Sequence, residues 1–142
     1  MKKIIKLLIL GLIIISPNVS LIAQNAKGLI IVESDGKGKN KQMAIEDAQY
    51  KAFEIIMFKG IPGTDLNVPL IANETEAKSK FKKYFDELKM NRFKGFIINT
   101  NVTSEFVKKS KKDKNISVQT EINYKALRLD LEQNQVIRKF GF

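Results

Sequence analysis

The chain has 142 residues, 44% of them hydrophobic, and a formal net charge of +10 at pH 7, which fits one globular domain with a modest core. It contains no cysteine and no histidine. Disulfides, thiol nucleophiles, imidazole proton transfer, nearly all zinc sites and lipid anchoring through an N-terminal cysteine are therefore excluded.

The N-terminal segment has the layout of a secretory signal. Three lysines within the first six residues precede an apolar run, Leu7 to Ile15, which ends near Pro17. The run is shorter than the roughly 20 apolar residues that span a bilayer. We therefore predict a secretory signal peptide over residues 1–26 and a single α+β domain over residues 27–142, exported to the periplasm or outer membrane of a bacterium, or secreted. An uncleaved anchor and a buried cytoplasmic helix are the alternatives.

The predicted domain begins with a strand followed by a helix. Leu29 to Val32 is a continuous apolar run rich in β-branched residues, which predicts a short buried strand. Residues 36–40 are expected to turn the chain, with Asn40 as the N-cap of a helix from Lys41 to about Phe58. Small residues recur on that helix at helical spacing, which indicates close approach to a sheet. These residues are Ala44, Ala48 and Ala52.

A second helix and a hairpin follow. Asn73 to Glu76 contain the N-cap and the acidic third position of a capping box, which predicts the start of an amphipathic helix. Two stretches that alternate apolar and polar residues, Phe96 to Val107 and Ile116 to Tyr124, predict the strands of a long antiparallel hairpin. A short helix is expected from Lys125 to about Asn134.

This order of elements predicts an α+β fold, because strands and helices do not alternate as they do in a doubly wound sheet. We expect a small antiparallel sheet of about three strands, with two long helices packed on one face and the first strand beside the hairpin. The expected core comprises Leu29, Ile31, Ala44, Ala48, Ala52, Phe81, Phe85, Leu88, Ile98, Val102, Val118 and Ile122.

The segment between the first strand and helix is a candidate anion-binding site. It consists of Gly36, Lys37, Gly38 and Lys39. Free amide groups at a helix start, with two lysines beside them, would attract a phosphate. The alternative is a plain turn in which the glycines supply positive φ.

The tip of the hairpin is a second candidate anion-binding site. It carries Lys108, Lys109, Lys111, Lys112 and Lys114. Because each lysine near an anionic membrane contributes about 1 kcal/mol, such a cluster could hold a protein loosely at a leaflet. The alternative is a solvated loop that protects the hairpin edges from aggregation.

The acidic residues offer little support for catalysis. Glu33, Asp35, Glu46 and Asp47 are the one grouping that invites a two-carboxylate glycosidase interpretation. Solvated charge on the helix is the better interpretation of Glu46 and Asp47. We expect no catalytic residues, no metal and no cofactor.

The first strand, Gly36-x-Gly38 and the alanine-bearing helix resemble the N-terminal domain of flagellar outer-ring assembly proteins and the related small envelope lipoproteins. This resemblance implies a small α+β module in the periplasm or at the outer membrane. It also implies action through protein contact, with no active site.

The sequence thus predicts an exported, non-enzymatic interaction module of the bacterial cell envelope with an envelope protein as partner. The alternative is a binder of anionic membrane lipid or polysaccharide through the lysine-rich hairpin tip. Nucleic acid is not expected as a partner, because basic and aromatic residues are not interleaved on a plausible platform.

Overall fold

A computed structural model describes residues 28–108 and 114–139. The predicted signal peptide of residues 1–26 and the tip lysines Lys109, Lys111 and Lys112 lie outside these residues. The described part contains an antiparallel sheet with helices on one face, which confirms the α+β class.

Eight principal elements make up the described fold. They are β1 (Leu29–Gly38), α1 (Lys41–Glu54), α2 (Glu74–Lys80), α3 (Lys82–Met90), β2 (Ile97–Val102), β3 (Val107–Lys108), β4 (Lys114–Asn123) and α4 (Tyr124–Gln133). A π turn over Ile55–Lys59 extends α1, and a 3-10 turn over Arg92–Phe96 precedes β2. None of the helices in this part of the chain is long and apolar enough to cross a bilayer.

The central strand of the sheet is β4. β1 pairs with it along its whole length, from Leu29 opposite Asn123 to Gly38 opposite Lys114. β2 and β3 both pair with β4 as well, and all pairings are antiparallel. The prediction that the first strand lies beside the hairpin is confirmed.

The register between β1 and β4 decides which β1 residues enter the core. Ile30 is paired with Ile122 and both are buried, whereas Leu29 and Ile31 are only partly buried. The predicted placement of Leu29 and Ile31 in the core was therefore wrong by one residue. A continuous apolar run shows no alternation, and a shift of one residue moves every side chain to the other face.

The prediction of one long strand from Phe96 to Val107 is wrong in two respects. The chain forms two separate strands here, Ile97–Val102 and Val107–Lys108, and two residues that were expected to be buried are exposed. The pairing with β4 shifts between Ile97 and Asn99, so Ile98 is the extra residue of a β-bulge. Ile98 is 56% exposed and Val102 is 38% exposed, although both were expected in the core. The bulge interrupts the alternation that the sequence pattern suggests.

The predicted second helix is present but divided. Phe81 has a non-helical backbone (φ −114°, ψ 36°), which separates α2 from α3, and its side chain is only partly buried. The side chain of Asn73 accepts a hydrogen bond from the Glu76 N–H at 3.1 Å, which confirms the predicted N-cap. The other predicted N-cap, Asn40, accepts from the Met43 N–H at 2.9 Å.

Gly36 and Gly38 of β1 have no side chains, and this allows α1 to pack directly against the strand. Gly36 and Gly38 lie in the strand, so the expected turn over residues 36–40 is wrong and the bend is confined to Lys39 and Asn40. A Cβ atom on Gly36 would lie 1.9 Å from the Ala44 carbonyl oxygen. The alanine face of α1 thus rests directly on β1, as its small residues predicted.

The main core lies between the sheet and the helices. Its fully buried large side chains include Phe53, Ile56, Met57, Leu88, Ile122, Leu127 and Leu131. The expectation of Ala44, Ala48, Ala52, Phe85, Leu88, Val118 and Ile122 as core residues is confirmed.

Replacement of Gly36 by alanine should destabilise the fold strongly. Its Cβ would meet backbone atoms of α1, which cannot move aside as a flexible side chain can. We expect Gly36→Ala to lower the free energy of unfolding by at least about 2 kcal/mol, measured by urea denaturation. The control is Gly95→Ala, where a Cβ has no neighbour within 4 Å. Equal stability of the two variants would contradict this account of the contact.

Candidate functional site

The structure brings the two lysine-rich segments to one end of the sheet. Lys37 lies opposite Asn115 on β4, and the next pair along is Gly38 with Lys114. On the other side of β4, Lys108 is paired with the same Lys114. We call this group the basic sheet end. It consists of Lys37, Lys39, Lys108 and Lys114, and all four residues are exposed.

The basic sheet end holds excess positive charge. None of its four lysines forms an ion pair with an acidic side chain within residues 28–108 and 114–139. The ammonium group of Lys114 lies 5.2 Å from the centre of the Phe106 ring, a cation–π contact that leaves its charge in place.

The nearby acids are already engaged. Asp47 accepts a hydrogen bond from the backbone N–H of Lys37 at 2.8 Å and is ion-paired with Lys51 at 2.7 Å. Asp35 accepts a hydrogen bond from the hydroxyl group of Ser117. Neither carboxylate forms an ion pair with the lysines of the basic sheet end.

Several lysines elsewhere are locally neutralised. The paired lysines are Lys51 with Asp47, Lys78 with Glu54 and Glu74, Lys82 with Asp86, Lys83 with Glu87, and Lys94 with Glu46. Hydrogen bonds from Gln42 and Lys94 lower the pKa of the Glu46 carboxyl group. The four lysines of the basic sheet end have no such pairs among the described residues, so their charge is not locally neutralised.

The structure does not assemble the four acids of the glycosidase interpretation. Glu33 and Asp35 are exposed on the face of β1 opposite the helices, because alternate residues of a strand share a face. Glu46 and Asp47 lie on α1, which packs on the other face. In the described part of the chain, no three acidic side chains come together as they would to hold a metal ion.

One polar cluster had no signal in the sequence. The Tyr84 hydroxyl group donates a hydrogen bond to Asp130 at 2.7 Å, and Arg92 forms an ion pair with the other carboxylate oxygen. The Arg92 guanidinium also lies over the Tyr84 ring, 5.5 Å from its centre. The three residues are distant in the sequence, so only the packing of α3, the 3-10 turn and α4 brings them together.

The Tyr84 cluster joins elements and is not suited to proton transfer. Burial raises the pKa of Tyr84, and the hydrogen bond to Asp130 raises it further. The phenol therefore stays protonated near neutral pH and acts as a hydrogen-bond donor.

A groove lies between α2 and the segment after α4. It has a volume of about 710 Å³, with Ile71, Phe81, Val136 and Ile137 among its apolar lining residues. Lys80 and Arg138 lie at the same groove. No residue of the two predicted anion sites lines it.

Comparison of the chain with protein-family models, with curated proteins and with solved structures finds no match in any of the three. The resemblance to flagellar outer-ring assembly proteins and small envelope lipoproteins therefore stays a prediction.

Alkaline pH should destabilise the protein partly through Tyr84. An unfolded tyrosine loses its proton near pH 10, whereas the folded protein retains the Tyr84 proton, so stability falls as pH rises above about 10. We expect Tyr84→Phe to flatten this decline in urea denaturation series. At neutral pH the variant should lose about 1–2 kcal/mol, because Asp130 loses the hydrogen bond from the Tyr84 hydroxyl group and keeps only the ion pair with Arg92 on its other oxygen.

Tyr50 provides a second contribution to the alkaline decline. Burial raises its pKa too, and the negative charge of Glu54 adds to the effect. The Tyr50→Phe, Tyr84→Phe double variant should thus show a flatter decline than either single variant. A decline in Tyr84→Phe as steep as in the wild type would contradict the proposed linkage.

Proposed function

We propose that this chain is an exported, non-enzymatic binding protein of the bacterial cell envelope, and that the basic sheet end contacts a polyanionic envelope surface. One observation supports this proposal above the others. The β1–β4–β3 register brings lysines from two separate sequence segments to the same end of the sheet, with Lys37 on one face and Lys108 and Lys114 on the other, without ion pairs among the described residues.

The form of the site favours an extended surface over a small anion. The four lysines are exposed and are spread across three neighbouring strands or their ends, rather than directed into a cavity. Each lysine near an anionic leaflet contributes about 1 kcal/mol, so several that act together give a useful but salt-sensitive affinity. The tip lysines Lys109, Lys111 and Lys112 belong to the segment that connects β3 to β4 and would add to this charge.

Export is supported by the sequence. The basic N-terminus, the short apolar run and the polar residues after it are the parts of a secretory signal. An envelope contains anionic phospholipid and polysaccharide, both of which a cationic surface attracts.

A second candidate ligand is an envelope protein, as the resemblance implies. The β2–β3 side of the sheet exposes apolar side chains at Ile98 (56%), Val102 (38%) and Val107 (53%). Exposed apolar residues along an edge favour protein contact, but they do not account for the lysines.

Neutralisation of the four lysines of the basic sheet end should strongly weaken binding to anionic vesicles. The variant carries Lys37→Gln, Lys39→Gln, Lys108→Gln and Lys114→Gln, and flotation with vesicles that contain phosphatidylglycerol measures its binding. We expect a loss on the order of 100-fold or more at low salt, together with a shallower salt dependence.

The matched control removes the same charge from other exposed positions. It carries Lys59→Gln, Lys82→Gln, Lys83→Gln and Lys89→Gln. A parallel assay with an acidic polysaccharide tells which polyanion is preferred. Equal losses in both variants would show that only net charge matters, and this would contradict the proposed site.

Processing at the N-terminus tests the export proposal separately. Expression in a bacterium, followed by fractionation and mass determination, should find the chain outside the cytoplasm and shortened by about the first 26 residues. An intact chain dissolved in the cytosol would overturn the proposed localisation.

A further inference from the structure

The groove between α2 and the segment after α4 is formed by residues of both elements. Glu76, Ala77 and Lys80 line it from α2, where a spacing of three or four residues puts them on one face of the helix. Val136 and Ile137 line it from the segment after α4. Ala77 belongs to the main core, and Val136 and Ile137 pack against it. The groove is therefore a built part of the fold.

The cap of α4 sets the course of the second wall. Gln135 has a left-handed backbone (φ 58°), which is uncommon for a residue other than glycine. The Val136 N–H donates to the Leu131 carbonyl oxygen at 2.9 Å, and the Gln135 N–H donates to that of Glu132 at 3.1 Å. These two bonds are the pattern of a Schellman cap. The cap turns the chain so that Val136 and Ile137 lie beside α2.

The groove has the size and the lining of a small-molecule site. Its volume of about 710 Å³ falls within the range of roughly 300–1,000 Å³ that is typical of such sites. Apolar side chains from both walls line it. We call them the apolar floor, which consists of Ile71, Ala77, Phe81, Val136 and Ile137.

Three exposed cations line the same groove. They are Lys80, Arg138 and Lys139, and we call them the cationic rim. None of them forms an ion pair within residues 28–108 and 114–139. The ammonium group of Lys80 lies 5.3 Å from the centre of the Phe81 ring, a contact that leaves its charge in place.

The acids at the groove do not balance these cations. Glu132 is ion-paired with Arg128 at 3.2 Å. Glu76 is exposed and is the other carboxylate among the described lining residues. The groove therefore combines an apolar floor with a net positive rim.

We propose that this groove binds a long-chain fatty acid, with its acyl chain on the apolar floor and its carboxylate at the cationic rim. The inference does not depend on the proposed polyanionic surface, because no residue of the basic sheet end lines the groove.

Charge complementarity selects this ligand. A carboxylate beside lysine or arginine forms charge-assisted hydrogen bonds, which are stronger than those between neutral groups. A purely apolar ligand would leave the cationic rim without a counter-charge, and a cationic ligand would be repelled by it. An acidic peptide shares the carboxylate chemistry, but only an acyl chain gains affinity steadily with each added CH₂ group.

Titration calorimetry with fatty acids of different length tests the acyl chain. We expect one dodecanoate to bind each chain, below the concentration at which it forms micelles. Dodecanoate should bind about tenfold more tightly than decanoate, because each fully buried CH₂ group contributes about a factor of four. The cationic control, dodecyltrimethylammonium, should bind at least about tenfold more weakly than dodecanoate. Equal affinities of dodecanoate and decanoate, or of dodecanoate and this control, would overturn the proposal.

Filling the groove tests its location. Ala72 is exposed and lines the groove, so Ala72→Trp adds an indole ring there without disturbing the core. We expect this variant to bind dodecanoate at least about tenfold more weakly. The matched control is Ser79→Trp, at an exposed position of α2 that does not line the groove, and it should bind as the wild type does. Unchanged binding by Ala72→Trp would overturn the proposal.

Neutralisation of the cationic rim tests the head-group contact. The variant carries Lys80→Gln, Arg138→Gln and Lys139→Gln, and its dodecanoate affinity should fall at least about tenfold. The control removes three charges elsewhere, through Lys59→Gln, Lys82→Gln and Lys89→Gln. Equal losses in the two variants would show an effect of net charge alone and would overturn the proposal.

The competing occupants are Phe140 and Phe142, which follow Lys139 in the sequence. If they filled the groove, the full chain with Phe140→Ser and Phe142→Ser would bind dodecanoate and the wild type would not. That result would assign the groove to the chain's own residues and overturn the proposal. Equal binding by the wild type and this variant would support it.

Discussion

The contact between α1 and β1 is the constraint on which the rest of the structure depends. A Cβ on Gly36 would lie 2.4 Å from the Ala48 backbone nitrogen, so the helix can rest here only because the strand residue has no side chain. The Ser34 hydroxyl group donates to the Ala48 carbonyl oxygen at 2.8 Å and adds a directional bond to this packing. The position of α1 in turn places the large apolar residues of its C-terminal half, such as Phe53, over the main core.

The same contact also shapes the basic sheet end, to which we attribute binding. Because α1 lies so close to β1, Asp47 and Lys51 reach the edge of that strand. The strand also continues to Gly38 instead of turning at Gly36, which brings Lys37 and Lys39 beside the hairpin lysines. The extension of β1 under α1 thus contributes to the basic sheet end, which does not belong to a single sequence motif.

Much of the fold was predictable because local patterns are strong. The strict alternation from Ile116 to Ile122 predicted β4 and its buried face, and both asparagine caps were identified from their positions before the helices. The predictions failed where the pattern was ambiguous or interrupted. The run from Leu29 to Val32 shows no alternation, and the bulge at Ile98 moves apolar residues to the surface.

The sequence by itself determined the α+β class, the close approach of the alanine helix to a sheet, and the two lysine-rich segments. It also excluded thiol and imidazole chemistry, because those side chains are absent. Only the tertiary structure decided that the two lysine segments lie at one end of the sheet and that Tyr84 and Asp130 are bonded. The physical reason is that strand register and helix packing depend on contacts between residues far apart in the chain, which local periodicity does not encode.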